Sequence, residues 1–162
     1  MRILFFTLIL SAVLFIGCTN SSEPSDLPKL YNCVITITQE GKPVSGAIIE
    51  LIAQDTNNTK YVPLQYTNVH GTAVMTTYGF TGVPAGKYKI VVSKNIEAET
   101  TVKDQDTGEN IIVGGIKYQM IEPVYSNPEI TPLEIEITGK EKKTEQTFDV
   151  GKEIKEMINV AK

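Results

Sequence analysis

The apolar positions of this chain fall into two regimes. Residues 3–16 form a run that is apolar except at Thr7 and Ser11, preceded by Arg2 and closed by Gly17-Cys18. No such run recurs. From Asn32 onward the pattern becomes alternation punctuated by turn residues, which is how half-buried strands read. Between the two regimes, residues 19–30 are polar, contain Pro24 and Pro28 and have no usable period.

The alternation predicts a series of short strands. Residues 33–39 form the first, with Tyr31, Cys33, Ile35 and Ile37 on one face, and Glu40-Gly41-Lys42-Pro43 is the turn out of it. A second strand covers 44–53, with Ala47, Ile49 and Leu51 facing one way, and a third covers 61–67 after a loop at Asn57-Asn58. The turn at 68–71 leads into 72–77, and Pro84-Ala85-Gly86 introduces 87–94, where Tyr88, Ile90 and Val92 share a face. Residues 95–115 read as an exposed insertion with a short strand at 111–113. Leu133, Ile135 and Ile137, then Phe148 and Val150, predict an edge hairpin. Ile154, Met157, Ile158 and Ala161 fall at helical spacing, so 151–162 is expected to be a short amphipathic helix that must dock to persist. The whole predicts an all-β fold: an antiparallel Greek-key β-sandwich of about seven strands over residues 31–150, with that helix at its end.

The opening run is too short for a spanning helix, which needs roughly 20 apolar residues, and fits a secretory core of about 7–15. Phe15-Ile16-Gly17-Cys18 resembles the lipobox of bacterial lipoproteins, departing from it in carrying Phe15 where Leu is usual. The resemblance implies a signal peptide at 1–17, cleavage between Gly17 and Cys18, and S-diacylglycerol and N-acyl (palmitate-type) chains on Cys18. Residues 18–30 are then a lipidated cysteine and flexible tether. About 12 such residues reach on the order of 20 Å. Thr19 is not the Asp associated with inner-membrane retention, which favours an outer membrane or periplasmic face. An ordinary secretory signal and a retained signal anchor are the alternatives.

Composition narrows the partners. The chain has 15 basic and 19 acidic residues, net −4; without Arg2 the count is 14 against 19, net −5. An acidic surface of that kind argues against nucleic acid and against anionic lipid headgroups. With Cys18 acylated, Cys33 is left without a disulfide partner, and its place on an apolar face reads as a small buried hydrophobe or as a reactive thiol.

Three stretches carry a second resemblance. Gly41-Lys42-Pro43-Val44-Ser45-Gly46-Ala47, Thr67-Asn68-Val69-His70-Gly71 and Pro84-Ala85-Gly86-Lys87-Tyr88-Lys89-Ile90 are similar to the carboxypeptidase regulatory-like domain, a prealbumin (transthyretin-like) sandwich. Pro123-Val124-Tyr125-Ser126-Asn127-Pro128 followed by Thr131-Pro132-Leu133-Glu134-Ile135 resembles the closing segment of small planctomycete-type lipoproteins. These motifs describe turns and core positions, so the resemblance implies a fold and not an activity.

Candidate chemistry is sparse. One His, His70, excludes a multi-His metal site, and no Arg follows residue 2. Asp104-Gln105-Asp106-Thr107-Gly108-Glu109 alternates oxygen ligands but lacks full calcium-loop spacing, and reads as a solvated acidic turn. Lys140–Lys143 reads as a charged hairpin tip. A Lys–Asn isopeptide crosslink, found in similar pilin domains, lacks a buried Glu near Tyr88, where Val91, Val92 and Ser93 stand instead. Asn20 and Asn57 match the glycosylation sequon without implying modification in a bacterium. The expectation is a non-enzymatic, membrane-anchored cell-envelope module without catalytic residue, cofactor or metal. It would bind a protein or glycan through loops 54–60 and 95–115, or serve as an accessory subunit of an envelope or surface-polysaccharide assembly through an exposed strand edge, with an unrecognised enzyme as the third alternative.

Overall fold

Ten residues from Leu30 to Gln39 form strand β1, and the alternation within it is physical: Cys33, Ile35 and Ile37 are fully buried while their neighbours are not. The computed structural model describes residues 24–56 and 59–158. After β1 come β2 (Lys42–Pro43), β3 (Ile48–Ala53), β4 (Leu64–Tyr66), β5 (Thr72–Val74) and β6 (Thr76–Thr77). Then follow β7 (Phe80–Thr81), β8 (Val83–Pro84), β9 (Gly86–Ser93), β10 (Asn95–Lys103) and β11 (Asn110–Gln119). A single helical turn, α1 (Pro123–Ser126), precedes β12 (Glu134–Ile137), β13 (Lys143–Asp149) and β14 (Glu156–Met157).

Two sheets enclose the core. In the first, β1 is the hub and pairs with β13, β2, β5 and β8. The second has the order β12-β9-β3-β4-β6-β7. Cys33, Ile35, Ile37, Ala73, Val83 and Phe148 from the first pack in one cluster with Ile49, Leu51, Tyr88, Ile90, Val92, Ile135 and Ile137 from the second. The expected all-β, sandwich-like class and its one-sided faces are therefore present. Burying an aliphatic side chain of this kind contributes about 1.5–3 kcal/mol. The Tyr88 ring is fully buried, and its hydroxyl donates to the Pro84 carbonyl at 2.9 Å. The number of strand segments exceeds the expected seven because runs read as continuous, such as 72–77, break into two- and three-residue pieces.

The turn out of β1 is shorter than the expected 40–43, because Lys42 and Pro43 already pair as β2. Glu40 and Gly41 both take positive φ, 48° and 77°, between the paired Gln39 and Lys42, the geometry of a two-residue hairpin turn. Asp149 locks it from the neighbouring strand. Its carboxylate accepts from the Gly41 N–H at 3.0 Å, the Thr38 hydroxyl at 2.8 Å and the Gly151 N–H at 3.0 Å. Those donors, the Gly41 N–H foremost, hold the Asp149 carboxyl below its ordinary range.

Four expectations need correction. The edge hairpin of 133–150 does not form: β12 pairs antiparallel with β9 in one sheet, while β13 crosses to the other and runs parallel to β1 from Asn32↔Lys143 to Thr38↔Asp149. The fold is thus not purely antiparallel. Residues 95–115 are not an irregular insertion, because β10 and β11 form a long antiparallel hairpin that contains the expected 111–113 strand. The C-terminal helix is absent from the described part of 151–162. There β14 pairs Met157 with Tyr118 and Glu156 with Gln119, and the Ile158 N–H donates to the Lys117 carbonyl at 2.8 Å. So short a helix is marginal alone, and the open edge of β11 offered ladder hydrogen bonds instead; Ala161 lies outside the described residues. Finally, the last part of the tether is ordered. Pro24 to Leu27 close a turn at 3.0 Å, and Asp26 forms an ion pair with Lys60.

Candidate functional site

The residue with a definite expected reaction, Cys18, lies outside the described residues together with Gly17, the whole signal segment 1–17 and both sequon asparagines. The structure bears instead on the alternatives in the folded domain. Cys33 is fully enclosed between the sheets, and burial pushes its thiol up to about 12. A thiol so placed has neither the access nor the thiolate population of a reactive cysteine; it is a small core hydrophobe.

His70 sits exposed in the turn that Asn68 organises, where the Asn68 carboxamide oxygen accepts from the His70 and Thr72 N–H groups at 2.9 and 3.1 Å. Among the described residues no hydrogen bond or ion pair engages its imidazole. Without a nucleophile or an orienting acid beside it, the geometry of a triad is missing.

The acidic turn closes on itself. Asp104 Oδ1 accepts from the Asp106 and Thr107 N–H groups at 2.8 and 2.9 Å, and these bonds, Thr107 first, hold its carboxyl below the ordinary range. Both bonds fall on Oδ1 and turn that oxygen in toward the loop at the tip of the β10–β11 hairpin. Among the described residues no group of three His, Cys, Asp or Glu side chains is arranged to hold a metal ion.

The buried non-aromatic polar side chains among the described residues are Thr67, Thr77 and Thr131. Each serves the backbone: Thr67 donates to the Val44 carbonyl at 2.6 Å and accepts from the Ala47 N–H at 2.8 Å. Thr77 and Thr131 donate to the carbonyls of Gly82 and Ile90 at 2.7 and 2.9 Å. Buried Lys, Asn and Glu side chains, which an isopeptide crosslink requires, are not among them. A recess of about 350 Å³ on the outer face of the first sheet is lined by Val34, Thr36, Thr72, Glu145, Gln146 and Thr147. It is an open polar groove with no titratable cluster.

What remains is surface. Lys60, the last residue of the expected contact loop, sets its ammonium 5.1 Å from the centre of the Tyr61 ring, which meets Tyr78 edge-on at 5.4 Å. The charged tip at 140–143 is solvated, and the Lys143 ammonium pairs with Glu145. The β10–β11 arm exposes Ile96, Ile111 and Ile112, and β14 adds Met157. Sequence reasoning placed a contact surface at 95–115 but missed that it is a strand edge. Among the described residues no helix is long and apolar enough to cross a membrane.

No family model, curated protein or solved structure matches this chain. The carboxypeptidase regulatory-like resemblance therefore rests on its own turn and core residues.

Proposed function

We propose that this chain is a lipid-anchored module of the bacterial cell envelope: a non-enzymatic, prealbumin-like β-sandwich held at a membrane through Cys18. The observation that carries the reading is the opening segment, an apolar run of secretory length that ends at Gly17-Cys18 and gives way at once to polar sequence. The spacing supports it. Residues 19–29 separate Cys18 from β1, and this spacer sets the anchoring cysteine outside the sandwich. Two or more acyl chains give the stable attachment that a single chain does not. The buried Cys33 is consistent with this, since it neither needs nor can reach a second cysteine among the described residues.

The test is metabolic labelling with a clickable palmitate analogue in a host that processes lipoproteins. Wild-type protein labels and fractionates with membranes, whereas Cys18→Ser leaves an unlabelled precursor that retains residues 1–17. Normal processing and secretion of Cys18→Ser would sink the reading.

A second reading, an accessory subunit acting through protein contacts, is favoured by the open edge of the β10–β11 arm. Affinity capture from envelope extracts with wild-type protein and with the arm shortened at 104–109 separates the two. A partner lost only with the shortened arm supports the accessory role.

A further inference from the structure

The β10–β11 arm leaves one strand edge open. Among the described residues β11 pairs with β10 along its length and with β14 at Tyr118 and Gln119, while β10 pairs with β11 alone. The register shift falls between Thr100↔Gly114 and Thr101↔Ile112, so the extra residue belongs to β11 and β10 runs its 9 residues without interruption. A two-stranded ribbon is marginal in water, and three or more strands are the usual requirement. A regular open edge is a template for another strand unless something blocks it. Proline and bulge are both missing from β10, and the charged residues that also guard edges are here of both signs, Glu97, Glu99 and Lys103.

The charges on β10 choose the partner. Strand alternation sets Glu97, Glu99, Thr101 and Lys103 on one face, all exposed. We propose that β10 pairs antiparallel with β10 of a second copy of this chain, about a two-fold axis at Thr100. Glu97 of each copy then stands opposite Lys103 of the other, Glu99 opposite Thr101, and Ala98 at the register position of Val102. Opposite charges directly across a sheet stabilise it and like charges destabilise it. An axis at Glu99 sets the two Glu99 carboxylates against each other, and an axis at Ala98 sets Glu97 against Glu99. An axis at Thr101 keeps a Glu99–Lys103 pair but shortens the ladder. Thr100 gives the longest pairing with no like charges opposed.

The interface is isologous, as two-fold dimers require, and it turns two marginal arms into one four-stranded ribbon. It also adjoins the faces that carry Ile96 and Ile111, both exposed in the single copy. The pairing does not depend on the lipid anchor.

The experiment uses the full chain, produced in bacteria and probed in whole lysate so that soluble and membrane-bound protein are both sampled. Thr100→Cys, Glu99→Cys and Thr101→Cys variants are oxidised with copper phenanthroline and run on non-reducing gels. The unsubstituted chain controls for Cys18, and Cys33 is fully enclosed. The expected result is a disulfide dimer of Thr100→Cys at least fivefold stronger than that of either neighbour. No dimer, or a stronger one at Glu99 or Thr101, overturns the proposal. On the Thr100→Cys background, Glu97→Lys and Lys103→Glu should each lower the dimer yield about tenfold, because two symmetry-related pairs become repulsive. The double exchange should restore it. A role for Glu97 only within its own hairpin, where it stands opposite Lys117, would not be rescued by Lys103→Glu, so failure of rescue also overturns the pairing.

Discussion

Gly71→Ala should destabilise the fold strongly, while the same change at Gly46 should be mild, and the contrast measures how closely the 68–71 turn is threaded against β1 and β2. Both glycines sit at left-handed φ, +72° and +71°, a conformation that costs an L-residue about 1–2 kcal/mol. A Cβ on Gly46 would meet nothing within 4 Å. A Cβ on Gly71 would lie 2.5 Å from the Ile37 carbonyl oxygen, 3.0 Å from the Val44 nitrogen and 3.1 Å from the Pro43 Cβ. Neither backbone can retreat cheaply. Ile37 donates to the Gly71 carbonyl at 2.8 Å and accepts from Val44 at 3.0 Å. Forced displacement in a packed interior costs about 1–3 kcal/mol, and a lost backbone hydrogen bond adds about 0.5–1.5 kcal/mol. Gly71→Ala should therefore destabilise by roughly 3–5 kcal/mol and Gly46→Ala by about 1–2 kcal/mol. Urea denaturation followed by far-UV circular dichroism reads the difference. With slopes of about 1–3 kcal/mol/M, the two midpoints should stand about 1 M or more apart. Midpoints that coincide would mean the Gly71 backbone relaxes freely, and would refute the close approach of the 68–71 turn to β1 and β2.

Other outcomes follow from single contacts. Thr67→Val keeps the shape but strands the Val44 carbonyl and Ala47 N–H, and should cost about 2–4 kcal/mol in urea unfolding; Thr67→Ser, which keeps both bonds, should cost less than half of that. Cys33 should resist maleimide in the native state and label only on unfolding. Because burial raises its folded value to about 12 from an ordinary 9.0, its contribution is complete below about 9 and is lost as pH rises toward 12. Cys33→Ala should flatten that alkaline slope. Asp149 behaves in the opposite sense: its lowered carboxyl stabilises the fold above an ordinary value of 3.8 and loses that effect as pH falls through the lower folded value. Asp149→Asn should remove that part of the acid sensitivity in thermal melts taken across acidic pH.

The core was legible because one face of each central strand is buried and the other is not. Cys33, Ile35 and Ile37 on β1, and Ile49 with Leu51 on β3, alternate without interruption, and period two has no competing interpretation there. The arm was less legible. β10 mixes Ile96 with Glu97, Ala98 and Glu99, residues of low strand propensity, and Gly114-Gly115 interrupts β11. The register of β13 was hidden for another reason. Only Phe148 of that strand is buried, so its pattern could not say whether its partner was the nearby β12 or the distant β1. At the C-terminus Ile154, Met157 and Ile158 fit a helical stripe, but a stripe that short carries little free energy, and an unpaired edge on β11 competed successfully for it. For function the balance is reversed. The proposed anchor at Gly17-Cys18 rests on sequence alone, whereas the described domain places Cys33 in the core, ties Asp104 to its own turn and leaves His70 exposed.

Intact-mass measurement of the protein extracted from bacterial membranes, followed by sequencing of its N-terminal peptide, bears most directly on the anchored module. The account predicts a chain that begins at Cys18, carrying a diacylglyceryl thioether and an N-linked acyl chain, with residues 1–17 gone. A mature chain that begins elsewhere, or one that begins at Cys18 with no lipid mass, would contradict it.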